Sequence, residues 1–141
     1  MKESSYFIDT NIFLRAFVHD LPKQSAECLK CLSKMSSGGF RMVSSSLVLA
    51  EFAWTLKSYY QLNKEQIVEA LQAVQGIRNL KFIDQQNVLL GNELYSMHPV
   101  KYIDALIASV PTLQDGSMAI ISYDKDFDRL RVKRLEPSAL L

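Results

Sequence analysis

The chain has 141 residues, of which 48% are hydrophobic and 22% are charged, with five glycines and four prolines. This length suits one domain over residues 1–141 with one sizeable core, and the composition excludes disordered, collagen-like and low-complexity chains. Sixteen Lys and Arg against fifteen Asp and Glu give a net charge of +1, which excludes a broadly basic surface that binds nucleic acid by bulk charge.

Short apolar or β-branched runs recur along the chain and have the length of strands. They cover residues 6–8, 41–44, 80–83, 118–121 and 132–135. Segments with helical spacing separate them, at residues 12–17, 22–35, 47–60, 64–75, 85–97 and 102–110. This alternation predicts an α/β fold: a three-layer α/β/α domain around a central, mostly parallel five-stranded sheet.

Local signals predict where several helices begin and end. Ser46 can cap the helix from residue 47, and Asn63 with Gln66 three residues later forms a capping-box pattern before residue 64. Asp84 can cap a helix over residues 85–97. Pro111 is expected to disturb or end the helix that starts at residue 102.

Cys28 and Cys31 form a C-x-x-C pair inside a predicted helix, and neither His19 nor His98 stands at zinc-finger spacing. We therefore expect two small buried or half-buried thiols instead of a redox or zinc motif. Residues 1–5 lead into a short apolar run and then a charge, so no signal peptide is expected. No apolar run approaches the about 18 residues that span a membrane. We expect a cytoplasmic protein with reduced thiols and no membrane partner.

Four acids interrupt the most apolar stretches of the chain: Asp9, Glu51, Asp104 and Asp124. A carboxylate in such surroundings is costly unless it is paired, hydrogen-bonded or bound to a cation. Lys57 is the nearest base at helical spacing from Glu51. The pattern therefore predicts that another group neutralises these acids.

The predicted topology brings the four acids to one place. Asp9 and Asp124 follow strands, and the carboxyl ends of parallel strands meet at the edge of the sheet where ligands bind. Glu51 and Asp104 can lean toward that edge from early helical turns. Oxygen ligands without histidine or thiolate favour Mg²⁺ or Mn²⁺, whose bound waters attack phosphate. The residues thus favour metal-assisted phosphodiester hydrolysis.

Each acid also has a purely structural interpretation. Asp9 can cap the turn that follows it, and Asp124 can shape a loop together with Asp126. Glu51 can pair with a distant base, and Asp104 can interact with a helix dipole in a first turn. Four acids in four apolar segments make the combined site the stronger hypothesis.

The segments FIDTN at 7–11, LAEF at 49–52, YIDALIA at 102–108 and SYDKDF at 122–127 resemble, in order and spacing, the four signatures of PIN-domain nucleases. The closest resemblance is to VapC-type toxins, and it covers essentially the whole chain. It implies a Mg²⁺- or Mn²⁺-dependent endoribonuclease that cleaves RNA and is usually a homodimer. It also implies an antitoxin partner whose tail enters the acidic pocket.

Carried over residue by residue, the resemblance makes Asp9, Glu51 and Asp104 the core metal-site acids and Asp124 the fourth, all catalytic. It makes Asp126 an accessory acid. Asn11 and Ser122 match supporting positions, where Asn11 holds the Asp9 carboxylate or a metal-bound water and Ser122 replaces a frequent threonine. Local capping is the structural alternative for these two polar residues. The seven residues are Asp9, Asn11, Glu51, Asp104, Ser122, Asp124 and Asp126.

The residues also bear on functions other than that of a toxin. A PIN nuclease for RNA processing and a non-catalytic PIN-like binding module stay as alternatives, whereas a haloacid-dehalogenase-type phosphotransferase fails because Asn11 replaces its second acid. A cluster of basic residues near the C-terminus can guide a phosphate backbone or simply be solvated; it comprises Lys125, Arg129, Arg131, Lys133 and Arg134. Aromatic residues within 52–60 predict self-association.

Overall fold

The computed structural model describes residues 4–141, in which the strands form one all-parallel sheet. The strands are β1 Ser4–Ile8, β2 Phe40–Ser44, β3 Leu80–Phe82, β4 Ala119–Ile121 and β5 Arg134–Leu135. Their spatial order is β3-β2-β1-β4-β5, so the chain builds outward from β1 on one side and later returns to add β4 on the other. The strand order therefore reverses between β1 and β4, where open α/β sheets bind ligands.

Helices cover both faces of this sheet, which confirms the predicted three-layer α/β/α class. One group packs together, comprising α1 Thr10–Phe17, α2 Pro22–Ser36, α3 Ser46–Ser58 and α4 Lys64–Gln75. A second group comprises α5 Val88–Met97, α6 Tyr102–Ala108, α7 Pro111–Gln114 and α8 Asp126–Arg129, and a 3₁₀ helix follows at Pro137–Leu140.

The core lies where these layers meet the two central strands. Phe7 and Ile8 of β1 and Ile120 and Ile121 of β4 are all fully buried, as expected for strands covered on both faces. This burial explains why the central strands read as continuous apolar runs. The acid that follows each strand is therefore held at the rim of a rigid core.

Helix capping follows the sequence at Asn63 and departs from it at Ser46 and Asp84. The N-cap residue of α3 is Ser45, and Ser46 is the first residue of the helix. The Asn63–Gln66 capping box is formed in both directions, as predicted. Asp84, by contrast, caps no helix of its own, because its Oδ1 accepts hydrogen bonds from the amide and hydroxyl of Ser46, both at 2.9 Å. Asp84 thus caps α3 from the end of a neighbouring strand, and the helix predicted from residue 85 begins only at Val88.

Proline and glycine shape the region that carries α6. The helix ends at Ala108, two residues before the predicted end, and Pro111 begins the separate helix α7. A Cβ added to Gly91 of α5 would lie 2.8 Å from a side-chain carbon of Leu106. The two helices therefore approach closely because residue 91 has no side chain.

Cys28 and Cys31 are buried and free, as the sequence predicts. Burial raises the pKa of each thiol to about 11, which keeps both protonated. Among the described residues, no helix is long and apolar enough to cross a membrane. Residues 1–3, on which the signal-peptide expectation partly rests, lie outside the described part.

Candidate metal-binding active site

Four separate segments bring carboxylates to the carboxyl edge of the sheet. Asp9 directly follows β1, Asp124 lies three residues after β4, and Glu51 and Asp104 lie on α3 and α6. All four line one small pocket of about 140 Å³ at the point where the strand order reverses, together with Lys101. The four predicted acids therefore lie together, in a volume suited to an ion and its waters.

Asp9 is 3% exposed, and its two carboxylate oxygens have different surroundings. Oδ2 accepts hydrogen bonds from the Ser122 hydroxyl at 2.7 Å and the Asn11 amide at 3.2 Å. Oδ1 is buried and has no hydrogen-bond donor within residues 4–141. Asp9 occupies the N-cap position of α1, yet its side chain makes no N-cap hydrogen bond. Capping therefore does not account for this carboxylate.

Asn11 and Ser122 tie Asp9 to the loop that carries Asp124. The Asn11 amide donates to Ser122 Oγ at 3.1 Å, and its Oδ1 accepts from the Tyr123 amide at 3.3 Å. Ser122 Oγ also accepts from the Asp124 amide at 2.9 Å. The two polar residues thus orient one acid and shape the loop of another, so their local and supporting roles coexist.

Glu51 has two partners that come from other segments. The Thr10 hydroxyl donates to Oε1, and the Lys101 ammonium lies 3.5 Å from Oε2. Lys57, the nearest base in sequence, is exposed and lines a different groove. The distant base that the structural interpretation of Glu51 required is therefore Lys101, which the sequence analysis did not single out. The sequence did contain one signal for Lys101: it lies three residues before Asp104, which places both side chains on the same side of the start of a helix.

Asp126 lies closer to the other acids of the site than its predicted accessory role suggests. One carboxylate oxygen from each of Asp104, Asp124 and Asp126 lies within 4.8 Å of the other two. The Asp126 amide also donates to Asp124 Oδ1 at 2.9 Å, so the predicted loop-shaping role of Asp124 is present as well. These three acids form a group that can hold a metal ion.

The buried acids have strongly raised pKa values. Burial raises the pKa of Asp9 to about 6, against the lowering effect of the Ser122 hydrogen bond. Burial raises the pKa of Asp104 to about 8; Lys101 opposes this rise, while Asp9 and Asp124 add to it. Burial lowers the pKa of Lys101, but the neighbouring acids Asp104, Glu51 and Asp124 together outweigh it, so the pKa of Lys101 is raised. The pocket is therefore a place where negative charge is under-compensated.

The donor set fits a hard divalent cation. Asp9 Oδ1 and Asp104 Oδ2 are both buried, and no group within residues 4–141 donates a hydrogen bond to either. Mg²⁺ and Mn²⁺ prefer carboxylate oxygens, and a cation removes the cost of burying unpartnered carboxylates. His19 takes no part, because its Nδ1 lies 2.7 Å from the Ser25 hydroxyl at the start of α2.

The basic cluster near the C-terminus is only partly available to a ligand. Lys125, Arg129, Arg131 and Lys133 are exposed. Arg134 is only 12% exposed; it contacts Asp128 at 3.1 Å and Glu136 at 2.9 Å, and donates to the Ser122 carbonyl at 3.0 Å. Arg134 is therefore a structural residue of the Asp124 loop and does not belong to a free basic surface.

The fold and the pocket together define an α/β protein with a carboxylate cluster at the carboxyl edge of a parallel sheet. The model of the PIN domain family matches residues 6–133. This chain therefore belongs to the PIN domain family, as its four sequence signatures predict.

Solved structures with the same fold include three VapBC complexes. A chain of VapBC2 from Rickettsia felis bound to a DNA fragment from their promoter matches with a TM-score of 0.69 at 20% identity, over 94% of this chain and 98% of that chain. VapBC-1 from nontypeable Haemophilus influenzae matches with a TM-score of 0.65 at 20% identity, over 95% of this chain and 98% of that chain. DNA-bound VapBC from Salmonella typhimurium matches with a TM-score of 0.65 at 17% identity, over 95% of this chain and 98% of that chain. No curated protein matches the sequence.

Proposed function

We propose that this chain is a metal-dependent endoribonuclease that hydrolyses RNA phosphodiester bonds, with residues 1–141 acting as one nuclease domain. The observation that carries the proposal is the pair of buried, unpartnered oxygens, Asp9 Oδ1 and Asp104 Oδ2, in one pocket of the described chain. Unpartnered buried carboxylates are destabilising, so their retention at one point favours a cation-binding role.

Asp9, Glu51, Asp104 and Asp124 are the proposed ligands for Mg²⁺ or Mn²⁺, with Asp126 at their side. When bound, the ion supplies an activated water and stabilises the negative charge that develops on the phosphate. Ser122 and Asn11 keep the Asp9 carboxylate in one orientation by hydrogen bonds at 2.7 Å and 3.2 Å. Asp104, with a pKa of about 8, releases its proton when a cation enters.

The biological role that we propose is that of a VapC-type toxin in a type II toxin–antitoxin pair. The four ordered signatures favour this role, as do three VapBC complexes that share the fold over more than nine-tenths of the chain. A PIN nuclease of RNA processing would have the same pocket but no cognate antitoxin. A non-catalytic binding module would keep the four acids together only to bind a basic partner and would not need a metal ion there.

The sign of the pocket charge favours an inhibitor that carries arginine. A guanidinium forms bidentate hydrogen bonds with two carboxylates, so an antitoxin tail that inserts Arg among Asp9, Glu51, Asp104 and Asp124 would block cleavage and compete with metal. The test is partner affinity at rising Mg²⁺ with ionic strength held constant. We expect the partner to bind more weakly as the Mg²⁺ concentration rises. If partner affinity is the same at saturating Mg²⁺, the inhibitor acts through another surface.

A second surface suits the rest of such a partner. A groove of about 610 Å³ lies between α3 and α4, lined mainly by apolar side chains such as Ile67, Val68 and Leu71. Trp54 is 68% exposed at this groove, and Lys57 and Lys64 flank it. We assign it to an amphipathic segment of the antitoxin with acidic residues beside its apolar face.

Self-association through the aromatic residues within 52–60 stays a prediction, since Phe52 is buried but Trp54 and Tyr59 are exposed. A second candidate face for the proposed homodimer lies on α5. On α5, Val88, Leu89 and Tyr95 are exposed, and Tyr95 packs edge-to-face on the exposed Tyr102 with ring centroids 5.3 Å apart. Sedimentation of the parent and Leu89→Asp tests this face, and a 16 kDa species alone in the parent at micromolar concentration contradicts it. A cytoplasmic location stays a prediction.

Cleavage of RNA by paired variants tests the nuclease proposal. We expect Glu51→Gln to lower Mn²⁺-dependent cleavage of an RNA oligomer by roughly a hundredfold or more, because it removes charge from the cation site. Glu69→Gln makes the same chemical change on the exposed face of α4 and should cleave like the parent. Asp126→Asn should lower cleavage less than Glu51→Gln.

Three results would contradict the proposal: no cleavage by the parent in either metal, full cleavage by Glu51→Gln, or no measurable Mg²⁺ binding by calorimetry. Calorimetry also distinguishes the enzyme from a binding module, because Glu51→Gln lowers Mg²⁺ affinity only if Glu51 belongs to a metal site.

A further inference from the structure

Lys101 is the one basic side chain that lines the acidic pocket of the described chain. It occupies the N-cap position of α6 with extended backbone angles, three residues before Asp104. This position brings its ammonium next to carboxylates that come from other parts of the chain. The pocket therefore has a cation of its own at its edge.

The contact that holds this ammonium is weak and leaves donors free. Within residues 4–141, its hydrogen-bond partner is Glu51 Oε2 at 3.5 Å, whereas an ammonium group has three donors. The Lys101 side chain is 62% exposed, and the Glu51 side chain is 18% exposed. Lys101 thus connects the interior of the pocket with solvent, where a large substrate must approach.

A cationic side chain at this point favours the approach of an anionic substrate. Each RNA phosphate carries a negative charge, and it has to approach Asp9, Glu51, Asp104 and Asp124. Coulomb repulsion from these acids opposes that approach, and an exposed ion pair at 3.5 Å is easily exchanged for another. When a cation occupies the carboxylates, Glu51 has less attraction for Lys101, and the ammonium is available to a phosphate oxygen.

We propose that Lys101 is a substrate-binding residue that donates hydrogen bonds to a non-bridging oxygen of the RNA phosphate at the pocket. This inference rests on the proposed nuclease function and adds to it the chain's own contact with substrate. The ammonium supplies charge and orientation but no proton transfer. The alternative, in which Lys101 merely neutralises the empty pocket, predicts unchanged RNA affinity and unchanged salt dependence when Lys101 is replaced.

The experiment compares Lys101→Met, Lys101→Arg and Lys30→Met, an exposed lysine of α2 that lies outside the pocket. RNA affinity is measured by fluorescence anisotropy with Ca²⁺ in place of Mg²⁺, and a gel checks that the oligomer stays intact. Mg²⁺ affinity is measured by calorimetry without RNA. Cleavage is measured with Mn²⁺ at several salt concentrations.

For Lys101→Met we expect RNA affinity and kcat/KM to fall about tenfold, while Mg²⁺ affinity stays level or rises because a competing cation is gone. The slope of log affinity against log salt should fall by about 0.7, the value for one lost contact with a single-stranded phosphate. Lys101→Arg should keep most of the affinity, and Lys30→Met should equal the parent.

Unchanged RNA affinity and salt slope in Lys101→Met would overturn the inference. Tighter Mg²⁺ binding in that case would identify Lys101 as a counter-ion of the empty pocket. If the parent cleaves RNA while Lys101→Met behaves like it, the Lys101 inference alone fails. If the parent neither binds nor cleaves RNA, the nuclease proposal fails and this inference fails with it.

Discussion

The acidic pocket and the α3–α4 groove both lie along helix α3, but they differ in the kind of group that each leaves without a partner. Glu51 faces the pocket, and Trp54, three residues later on α3, borders the groove. The pocket has about 140 Å³ and polar oxygens without donors, whereas the groove has about 610 Å³ and apolar side chains without cover. What each region lacks indicates its ligand, which is a small cation for the first and an apolar chain segment for the second.

Asp104→Asn should separate the two regions most strongly. Asparagine resembles the protonated carboxyl, so it removes charge from the pocket while sparing the cost of a buried carboxylate. We expect Mn²⁺-dependent cleavage to fall by roughly a hundredfold or more, with an unchanged or higher unfolding temperature. Cleavage assays and thermal unfolding at pH 8 measure both effects. A marked loss of stability would show that the Asp104 carboxylate is structural.

Trp54→Ala should give the converse result. A large exposed tryptophan that becomes buried at an interface is a typical hot spot, so we expect antitoxin affinity to fall about tenfold to a hundredfold while RNA cleavage stays at the parent level. Tyr59→Ala removes another exposed aromatic ring that does not line the groove and serves as the control. Calorimetric titration with the cognate antitoxin gives the affinities. Equal losses in both variants would reject the groove as the docking site.

The two buried acids of the pocket should lower the stability of the metal-free protein as pH rises. Asp9 and Asp104 have folded pKa values raised to about 6 and about 8, so the folded protein binds their protons more tightly than the unfolded chain does. Their stabilising effect is complete below about pH 4 and is lost as pH rises through 6 and 8. The metal-free protein should therefore unfold at a temperature several degrees lower at pH 8.5 than at pH 5.

Two controls sharpen this pH prediction. Asp104→Asn should flatten the upper part of the curve, and saturating Mg²⁺ should raise the unfolding temperature most at high pH, where the acids are ionised. Metal affinity should likewise rise between pH 6 and pH 8. A parent curve that is flat, or that rises with pH in the absence of metal, would contradict the raised pKa values.

The smallest expected effect concerns the support of the pocket. Arg134 donates to the Ser122 carbonyl, and Ser122 in turn donates to Asp9, so Arg134→Gln should loosen this part of the site. We expect a drop of a few degrees in unfolding temperature and a several-fold loss of Mg²⁺ affinity, with partial recovery in Arg134→Lys. Arg129→Gln on the exposed part of α8 is the matched control. Mg²⁺ affinity equal to the parent in Arg134→Gln would limit its role to folding.

Local sequence patterns were sufficient to predict the fold and the proximity of the acids. Continuous apolar runs such as those ending at Ile8 and Ile121 have to be central strands, and an acid after such a strand has to lie at its carboxyl end. Parallel strands place those ends at one edge, so the meeting of Asp9 with Asp124 follows from sequence order. The same logic predicted the capping box at Asn63, because its partners are three residues apart.

Contacts between distant segments were decided only by the tertiary structure. Lys101 meets Glu51 across 50 residues, and Asp84 caps Ser46 across 38. Arg134, which reads as one more charge in a basic cluster, is committed to Asp128, Glu136 and a backbone carbonyl. Neither periodicity nor spacing encodes such pairs, because they depend on the angles at which packed helices and strands present their side chains. The sequence by itself therefore determines which carboxylates form the pocket, whereas the packing of the layers decides which cation stands beside them.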